Sequence, residues 1–332
     1  MVTLQNQPII KTPSLGGILQ KETKAVVVQK GWRKAFLSYL RRSMIVVLNI
    51  LLNHHIIFRI VGFANKHLKI IESVFLAYPA NDNYALAYVY PSRLSKVQWN
   101  PWPVGLLWQN GKLAIMFVIS ASNNDFRKEE NIGNLRHVAG RMEWYRQTLH
   151  VKRKTFAGIL PGVLFGRRII RDTHEADTTV KAIELAIRRV RVEEKLSVDA
   201  PIIVLGGRGF IGRKVFANLP AENLYCVDTA NGCEWPAHLH GHKTLLVNIT
   251  DNGALDEYVP KLWSGIVVLN EVYPEPKSAT IQRLKQLGCV CYHIQGVEGR
   301  AFPSFPHAYH GAIPCCSARS CGGMKVSLQE LV

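Results

Sequence analysis

No stretch of this 332-residue chain is apolar over the roughly 20 residues that a helix needs to cross a bilayer. The longest candidate, Met44-Ile45-Val46-Val47-Leu48-Asn49-Ile50-Leu51-Leu52, runs to nine residues only if Asn49 is tolerated, and Asn53, His54, His55 and Arg59 follow closely. A buried helix is the leading expectation there, with a basic helix lying in a membrane interface as the alternative. No secretory signal precedes the run, and the seven cysteines are odd in number. Reduced thiols are therefore expected, in the cytoplasm or peripheral to the inner membrane face. Internal repeats and low-complexity tracts are also missing. The length that remains is enough for two domains with separate cores.

Acidic residues are scarce on one side of the chain only. Residues 1–195 hold 30 Lys and Arg against 13 Asp and Glu, whereas residues 196–332 hold 11 against 11, so the whole formal excess of +17 lies upstream. A field of that sign favours an acidic partner: a phosphorylated or carrier-linked substrate, an anionic membrane surface or a nucleic acid. Nucleic acid has charge alone in its favour, because the aromatic residues of the basic half fall into no binding motif. The plainer alternative is a solubilising surface.

What is present centres on Pro201-Ile202-Ile203-Val204-Leu205-Gly206-Gly207-Arg208-Gly209-Phe210-Ile211-Gly212. It reads as a buried strand, a glycine turn and a helix start. Gly207, Gly209 and Gly212 stand at G-x-G-x-x-G spacing, which serves a tight turn, close backbone approach to a pyrophosphate and close helix–strand packing. A second strand-like run ends at Asp228, 21 residues beyond Gly207, where a carboxylate can accept from the adenosine ribose hydroxyls. The candidate cofactor-binding set is Gly207, Arg208, Gly209, Phe210, Ile211, Gly212 and Asp228, completed by the strand-end residues Asn248 and Asn270. NAD is expected over NADP because Asp228 repels a 2′-phosphate, although Arg208 is placed to hold one.

Taken in order, residues 1–25 are polar with Pro8 and Pro13 and read as a loose arm; residues 26–69 read as helical and basic, with Lys30, Arg33, Lys34, Arg41 and Arg42 ahead of Met44. Residues 71–122 read as β-rich: a strand from Ile71, another over residues 84–90, a rigid loop at Trp99-Asn100-Pro101-Trp102-Pro103, and a hairpin around Asn110-Gly111. Helical spacing returns over residues 135–149. Thr173 is a plausible N-cap for a helix running to about Lys195. Beyond it, strands ending near Asn248, Asn270 and Ile294 alternate with helical stretches at 252–262 and 278–287. That rhythm predicts a parallel sheet with ligands outside the strand carboxyl ends. The expected units are 1–70, 71–195 and 196–332.

This layout, a mixed domain, a linking helix and a C-terminal Rossmann domain, resembles the shikimate and quinate dehydrogenases and is similar to the long-chain acyl-(acyl carrier protein) reductases. The former open the linking helix with Asn-Thr-Asp, whose Asp is half of a Lys/Asp catalytic pair. Here Asp172-Thr173-His174 keeps only the Thr. Asn270-Glu271-Val272-Tyr273-Pro274 resembles their Val-Tyr-Asn-Pro segment near the nicotinamide, without its Asn. The resemblance implies an α/β fold with a C-terminal doubly wound parallel Rossmann sheet and an N-terminal basic α/β or α+β domain.

Hydride transfer needs a group that exchanges a proton with the substrate oxygen. His174, at the start of the linking helix, is the first candidate, and Lys154 (with Lys152) is the candidate for polarising a carbonyl. Cys315 and Cys316 would supply a thiolate if the chemistry is acyl reduction through a thioester. Cys226, Cys289 and Cys291 fall on strand-like runs and read as packed thiols. The alternating His238, His240 and His242 lack a suitably spaced Cys or carboxylate, so no metal is assigned to them. The expected function is an NAD(P)-dependent oxidoreductase acting on an anionic carbonyl or hydroxyl substrate in the interdomain cleft. The alternative is a non-catalytic dinucleotide-binding sensor or assembly factor.

Overall fold

The computed structural model describes residues 32–332 apart from 81, 220, 221, 251, 252, 306–308 and 310. The expected loose arm and Lys30 lie outside the described residues. The chain is a mixed α/β protein with two sheets, in which six of the ten strand pairings are parallel.

Two helices come first, α1 (Trp32–Leu52) and α2 (His55–Leu68). The first sheet is built from β1 (Ile71–Ala77), β2 (Trp102–Gln109), β3 (Lys112–Val118) and β4 (Arg153–Phe156). Asn110 and Gly111 take positive φ values of 49° and 73°, as a two-residue hairpin turn between β2 and β3 requires. β1 then lies parallel to both β3 and β4. Trp102 and Pro103 belong to β2 rather than to a loop. Proline is tolerated there because the outer neighbour of β2 pairs only with residues 106–108, which leaves Pro103 on an open edge.

Residues 84–90 are not the expected strand. Asp82–Tyr88 forms α3, which packs on α1. The Tyr-Ala-Leu-Ala-Tyr alternation imitates a strand, but its alanines favour helix and the docking side decides the outcome. Short turns follow, α4 (Leu94–Val97) and α5 (Asn123–Arg127), before α6 (Ile132–Thr148) covers β1 and β4 with Leu135, Val138, Met142 and Tyr145. After β4 comes α7 (Leu160–Gly166), then the long α8 (His174–Glu193). Thr173 occupies the N-cap position of α8 but makes no side-chain capping bond.

The second sheet contains β5 (Ile202–Leu205), β6 (Leu224–Val227), β7 (Thr244–Asn248), β8 (Ile266–Asn270) and β9 (Val290–Glu298), all parallel in the order β9-β8-β7-β5-β6. Its strands read as unbroken apolar runs because both faces are covered. Ile202 and Val204 pack towards α8 and α9 (Phe210–Asn218), while Ile203 and Leu205 pack towards α10 (Ala254–Tyr258), Trp263 and α11 (Ser278–Gln286).

The boundary expected near residue 196 is crossed by the chain's return. β10 (Arg300–Phe302) adds an antiparallel strand to the first sheet through Trp108, Leu107 and Leu106. β11 (Ala312–Ile313) and β12 (Val326–Glu330) then pair with β9. A shared core of Phe75, Met116, Ala182, Val297 and Ile313 joins the two halves.

The run from Met44 to Leu52 is not the buried helix expected. Only Ile45 and Asn49 in it are buried, and Val47, Ile50, Leu51 and Leu52 face outward. Among the described residues no single helix is long and apolar enough to cross a membrane; α1 and α2 meet at 85°.

Candidate functional site

The glycine turn follows β5, whose four residues are all buried. Gly206 carries the left-handed φ of 81° that bends the chain, a conformation open to glycine at no steric cost. Gly209 sits at the N-cap of α9 and donates its N–H to the Gly206 carbonyl at 2.9 Å. A Cβ at Gly212 would collide with that same carbonyl, so the third glycine brings helix and strand together as its spacing predicts. A Cβ at Gly207 would stand 2.8 Å from Cys226 Sγ. Gly207 therefore makes room for the neighbouring strand, and the tight turn belongs to Gly206.

Asp228 ends β6. Its backbone exchanges hydrogen bonds with Cys233, and Asn231 Nδ2 donates to its Oδ1 at 2.8 Å. Exposed Arg208 donates from Nε to Cys233 Sγ at 3.4 Å. That guanidinium holds the Cys233 thiol below its usual range, whereas burial pushes Cys226 up to about 11. Asp228 lines the cavity onto which the turn opens, and Arg208 is turned aside to sulfur. We expect NADH to bind about tenfold or more tighter than NADPH, and Asp228→Ala to narrow the gap. Tighter NADPH binding by the unaltered protein, measured by calorimetry, would show that Arg208 governs the choice.

The turn opens onto a cavity of about 770 Å³. Many of the residues lining it stand at the carboxyl ends of strands from both sheets: Ala77 and Tyr78 at the end of β1, Ile119 and Ser120 after β3, Ala157 and Gly158 after β4, Gly206 after β5, Asp228 after β6, Ile249 and Thr250 after β7, and Glu271, Val272 and Tyr273 after β8. Gly209, Phe210 and Ile211 contribute the start of α9, and the late segment contributes Tyr309, Cys315 and Cys316. Most of the remaining wall is aliphatic or aromatic, as a pocket for an apolar ligand requires.

Four carboxyls line the cavity, Glu175, Asp228, Glu257 and Glu271, and two of them, Glu175 and Glu271, have strongly raised pKa values. Glu175, in the first turn of α8, is 2 % exposed, and its Oε1 has no hydrogen-bond partner among the described residues. Burial raises its pKa to about 7, with Asp172 and Asp177 adding smaller upward contributions against backbone hydrogen bonds that lower it. Burial raises Glu271 to about 8. The thiols are held protonated by the same desolvation: Cys316 is pushed up to about 12, partly offset by the backbone N–H of Gly158, and Cys315 is raised well above the usual thiol value. Glu175 and Glu271 are both close enough to act electrostatically on Cys316. Rings close one side, with Tyr273 stacked on Tyr309 at 5.2 Å and set edge-on to Tyr84 at 5.7 Å.

A carboxyl whose folded pKa exceeds its unfolded one binds its proton more tightly in the native state. Its contribution is fully present below about pH 4.5 and is lost as pH rises through about 7. For Glu175 the swing amounts to about 3 kcal/mol. Urea unfolding over a pH series is therefore expected to show the unaltered protein losing stability over this window relative to Glu175→Gln. Parallel pH curves would contradict it.

The residues predicted for proton transfer lie elsewhere. His174 Nε2 is 2.6 Å from Arg153 and 3.3 Å from the Arg319 carbonyl, and His174 is not among the residues lining the cavity. The first turn of α8 directs the next residue, Glu175, to the cavity instead. Lys154 also lies outside that lining, ion-paired to Glu143 at 2.5 Å. Neighbouring Lys152 pairs with Glu72. Asn248 and Asn270 are buried and bonded to each other at 2.7 Å. Asn270 further donates to the Val272 carbonyl and lies 3.0 Å from His293 Nδ1, so these amides tie strand ends together beside the cavity rather than lining it. Gly207, Arg208 and Gly212 shape the turn, while Gly209, Phe210, Ile211 and Asp228 reach the cavity. Glu175 and Glu271 carried no sequence motif of their own. Their signals were positional: one step past a helix start, and one step past the end of a buried strand.

His238 packs against Tyr225 and His240 against Trp263, each at 5.3 Å between rings. Among the described residues no three His, Cys, Asp or Glu side chains converge as a metal site. No protein-family model matches the chain, and no curated protein matches it.

Proposed function

We propose that the chain is a nicotinamide-dinucleotide-dependent oxidoreductase with a doubly wound Rossmann arrangement in its second sheet, interconverting an acyl thioester and an aldehyde through an acyl group on Cys316. One observation carries the reading: the glycine turn, the Cys315–Cys316 pair and the carboxyls Glu175 and Glu271 all line one apolar cavity. The turn suits a dinucleotide. Gly209 has only the Gly206 carbonyl oxygen, at 3.1 Å, near the position of a Cβ, which leaves its cavity side open for a pyrophosphate at the start of α9. When bound, the dinucleotide supplies the hydride.

Cys316 is taken as the nucleophile; the Gly158 N–H favours its thiolate, as backbone N–H groups of the same turn favour that of Cys315. Glu271, with its pKa near 8, takes the Sγ proton as the sulfur attacks the thioester carbonyl carbon. The new carbon–sulfur bond to Cys316 forms, the bond to the departing thiol breaks, and Glu271 returns the proton to that thiolate. After the acyl carbon has accepted hydride, its bond to Cys316 breaks, aldehyde leaves, and the sulfur regains a proton drawn from solvent through Glu271. The aliphatic wall accommodates the acyl chain, and the positive excess upstream of residue 196 suits an anionic carrier on the thiol portion.

The test uses purified protein and coenzyme A thioesters graded in chain length. Loss of NADH absorbance is expected with the longer chains. Without dinucleotide, the peptide containing Cys316 should gain one acyl mass. Absence of both NADH loss and an acylated peptide at every chain length would sink the reading.

A further inference from the structure

The helices α1 and α2 present to solvent a surface that neither sheet nor cavity explains. Their inner sides are firmly specified. Asn49 Nδ2 donates to the carbonyls of Ile45 and Pro103, both at 2.9 Å. Asn65 Nδ2 donates to the carbonyls of Ile71 and Leu149, and its Oδ1 accepts from the Ile71 N–H at 2.8 Å. Phe58 packs on Tyr145, Trp144 and Phe117, and Gly62 lies so close to Thr148 that a Cβ would strike its carbonyl. The rotation of each helix about its axis is thereby set. At about 100° per residue, the face of α2 opposite Phe58, Gly62 and Asn65 consists of Ile56, Ile60, Phe63 and His67. The three apolar side chains are 70 %, 59 % and 68 % exposed. On α1 the outward positions Leu40, Val47 and Ile50 are likewise exposed.

A polar face would be the ordinary choice for the solvent side of a surface helix. Apolar patches of this extent mark an interaction surface. The charge around this one identifies the partner. Residues 32–70 contain seven Lys and Arg and three His, with no Asp or Glu. Exposed Arg59 and Lys66 flank the apolar stripe of α2. A second copy of this chain would bring like charges together in one interface, whereas a leaflet bearing anionic headgroups neutralises them.

We infer that α1 and α2 form a docking surface for an anionic membrane leaflet. The two helices lie in the interfacial plane, with apolar side chains among the acyl chains and the Arg and Lys heads at the phosphates. Cavity-lining α3 packs directly against α1, so docking brings the cavity within one helix layer of the membrane.

Flotation of the full-length protein with phosphatidylglycerol-containing vesicles tests this, with pure phosphatidylcholine vesicles for comparison and a salt series for both. Binding to the anionic vesicles is expected, weakening as salt rises. The double variant Ile60→Glu/Phe63→Glu should lose roughly a hundredfold in vesicle affinity, the scale of removing two buried apolar side chains. Its circular dichroism should be unchanged, since both positions face solvent. The pair Arg59→Glu/Lys66→Glu, which touches no core residue, provides the second arm and should lose the preference for anionic lipid. Failure of the unaltered protein to bind anionic vesicles overturns the inference, as does binding that both variants retain. Self-association without vesicle binding, dissolved by Ile60→Glu/Phe63→Glu, overturns it in favour of a protein partner.

Discussion

Replacing Cys316 by alanine is expected to lower turnover on the order of 10³-fold or more while leaving NADH affinity unchanged. The cysteine sits in the single turn Cys315–Ser317, held by Ser317 Oγ donating to the Pro314 carbonyl at 2.6 Å, so loss of one sulfur leaves the local backbone supported. Cys315→Ala, one residue away in the same wall, should cost less than about tenfold, because in this reading the neighbouring thiol forms no bond to the substrate. The pH profile provides a second readout. With Glu271 titrating near 8, the rate of acyl transfer should rise as pH passes through that value, and Glu271→Gln should flatten the rise. If Cys315→Ala proves to be the dead variant, the roles of the two thiols are exchanged. If neither variant loses turnover, covalent catalysis is excluded.

Gly209→Val and Gly212→Ala should separate cofactor binding from folding. At Gly209 the backbone angles, φ −65° and ψ 172°, are open to any residue. An added Cβ there meets only the Gly206 carbonyl oxygen at 3.1 Å, a contact relieved by a few tenths of an ångström. The fold should therefore persist, with the valine methyl groups entering the space required by the pyrophosphate. NADH affinity is expected to fall roughly a hundredfold or more with little change in Tm. At Gly212 the added carbon would collide with the Gly206 carbonyl inside the strand–helix contact. Relief there requires moving α9, and about 1–3 kcal/mol of stability should be lost. Calorimetric titration and thermal unfolding of both variants check the contrast. Unchanged NADH affinity in Gly209→Val would remove the dinucleotide from this turn.

Much of the architecture is written locally. Ile202 to Leu205, Thr244 to Asn248 and Ile266 to Asn270 are short apolar runs that only a sheet covered on both faces can bury, and they form one. Asn110-Gly111 specifies its hairpin through backbone conformations that the two residues adopt readily. Gly209 and Gly212 make their close contacts with Gly206 and Gly207 only, so their spacing is legible in the sequence, whereas the tight turn expected at Gly207 falls on Gly206, beside Ile249 and Thr250 of a distant strand end.

What escaped sequence reading depends on contacts between distant segments. Period-two alternation over residues 84–90 looks the same whether the segment joins a sheet or docks as a helix, and α1 decided for helix. Periodicity likewise marks Met44 to Leu52 as helical without stating which side finds a partner. Asn49 and Ile45 turned inward, and the apolar remainder was left outside. His174 and Glu175 are adjacent in the chain but stand about 100° apart on the helix. Only the position of α8 against the two sheets sends the carboxyl into the cavity and the imidazole towards Arg153. Cys316 lies more than a hundred residues beyond the glycine turn and reaches the same cavity because β10 returns to the first sheet and β11 pairs with β9 before the turn that carries it. Local sequence thus determined the apolar strands of the second sheet, the Asn110-Gly111 hairpin and the spacing of Gly209 and Gly212, which follow from residue composition and near neighbours. The tertiary structure alone decided which thiols, carboxyls and helix faces meet, because burial and proximity are properties of the packed chain.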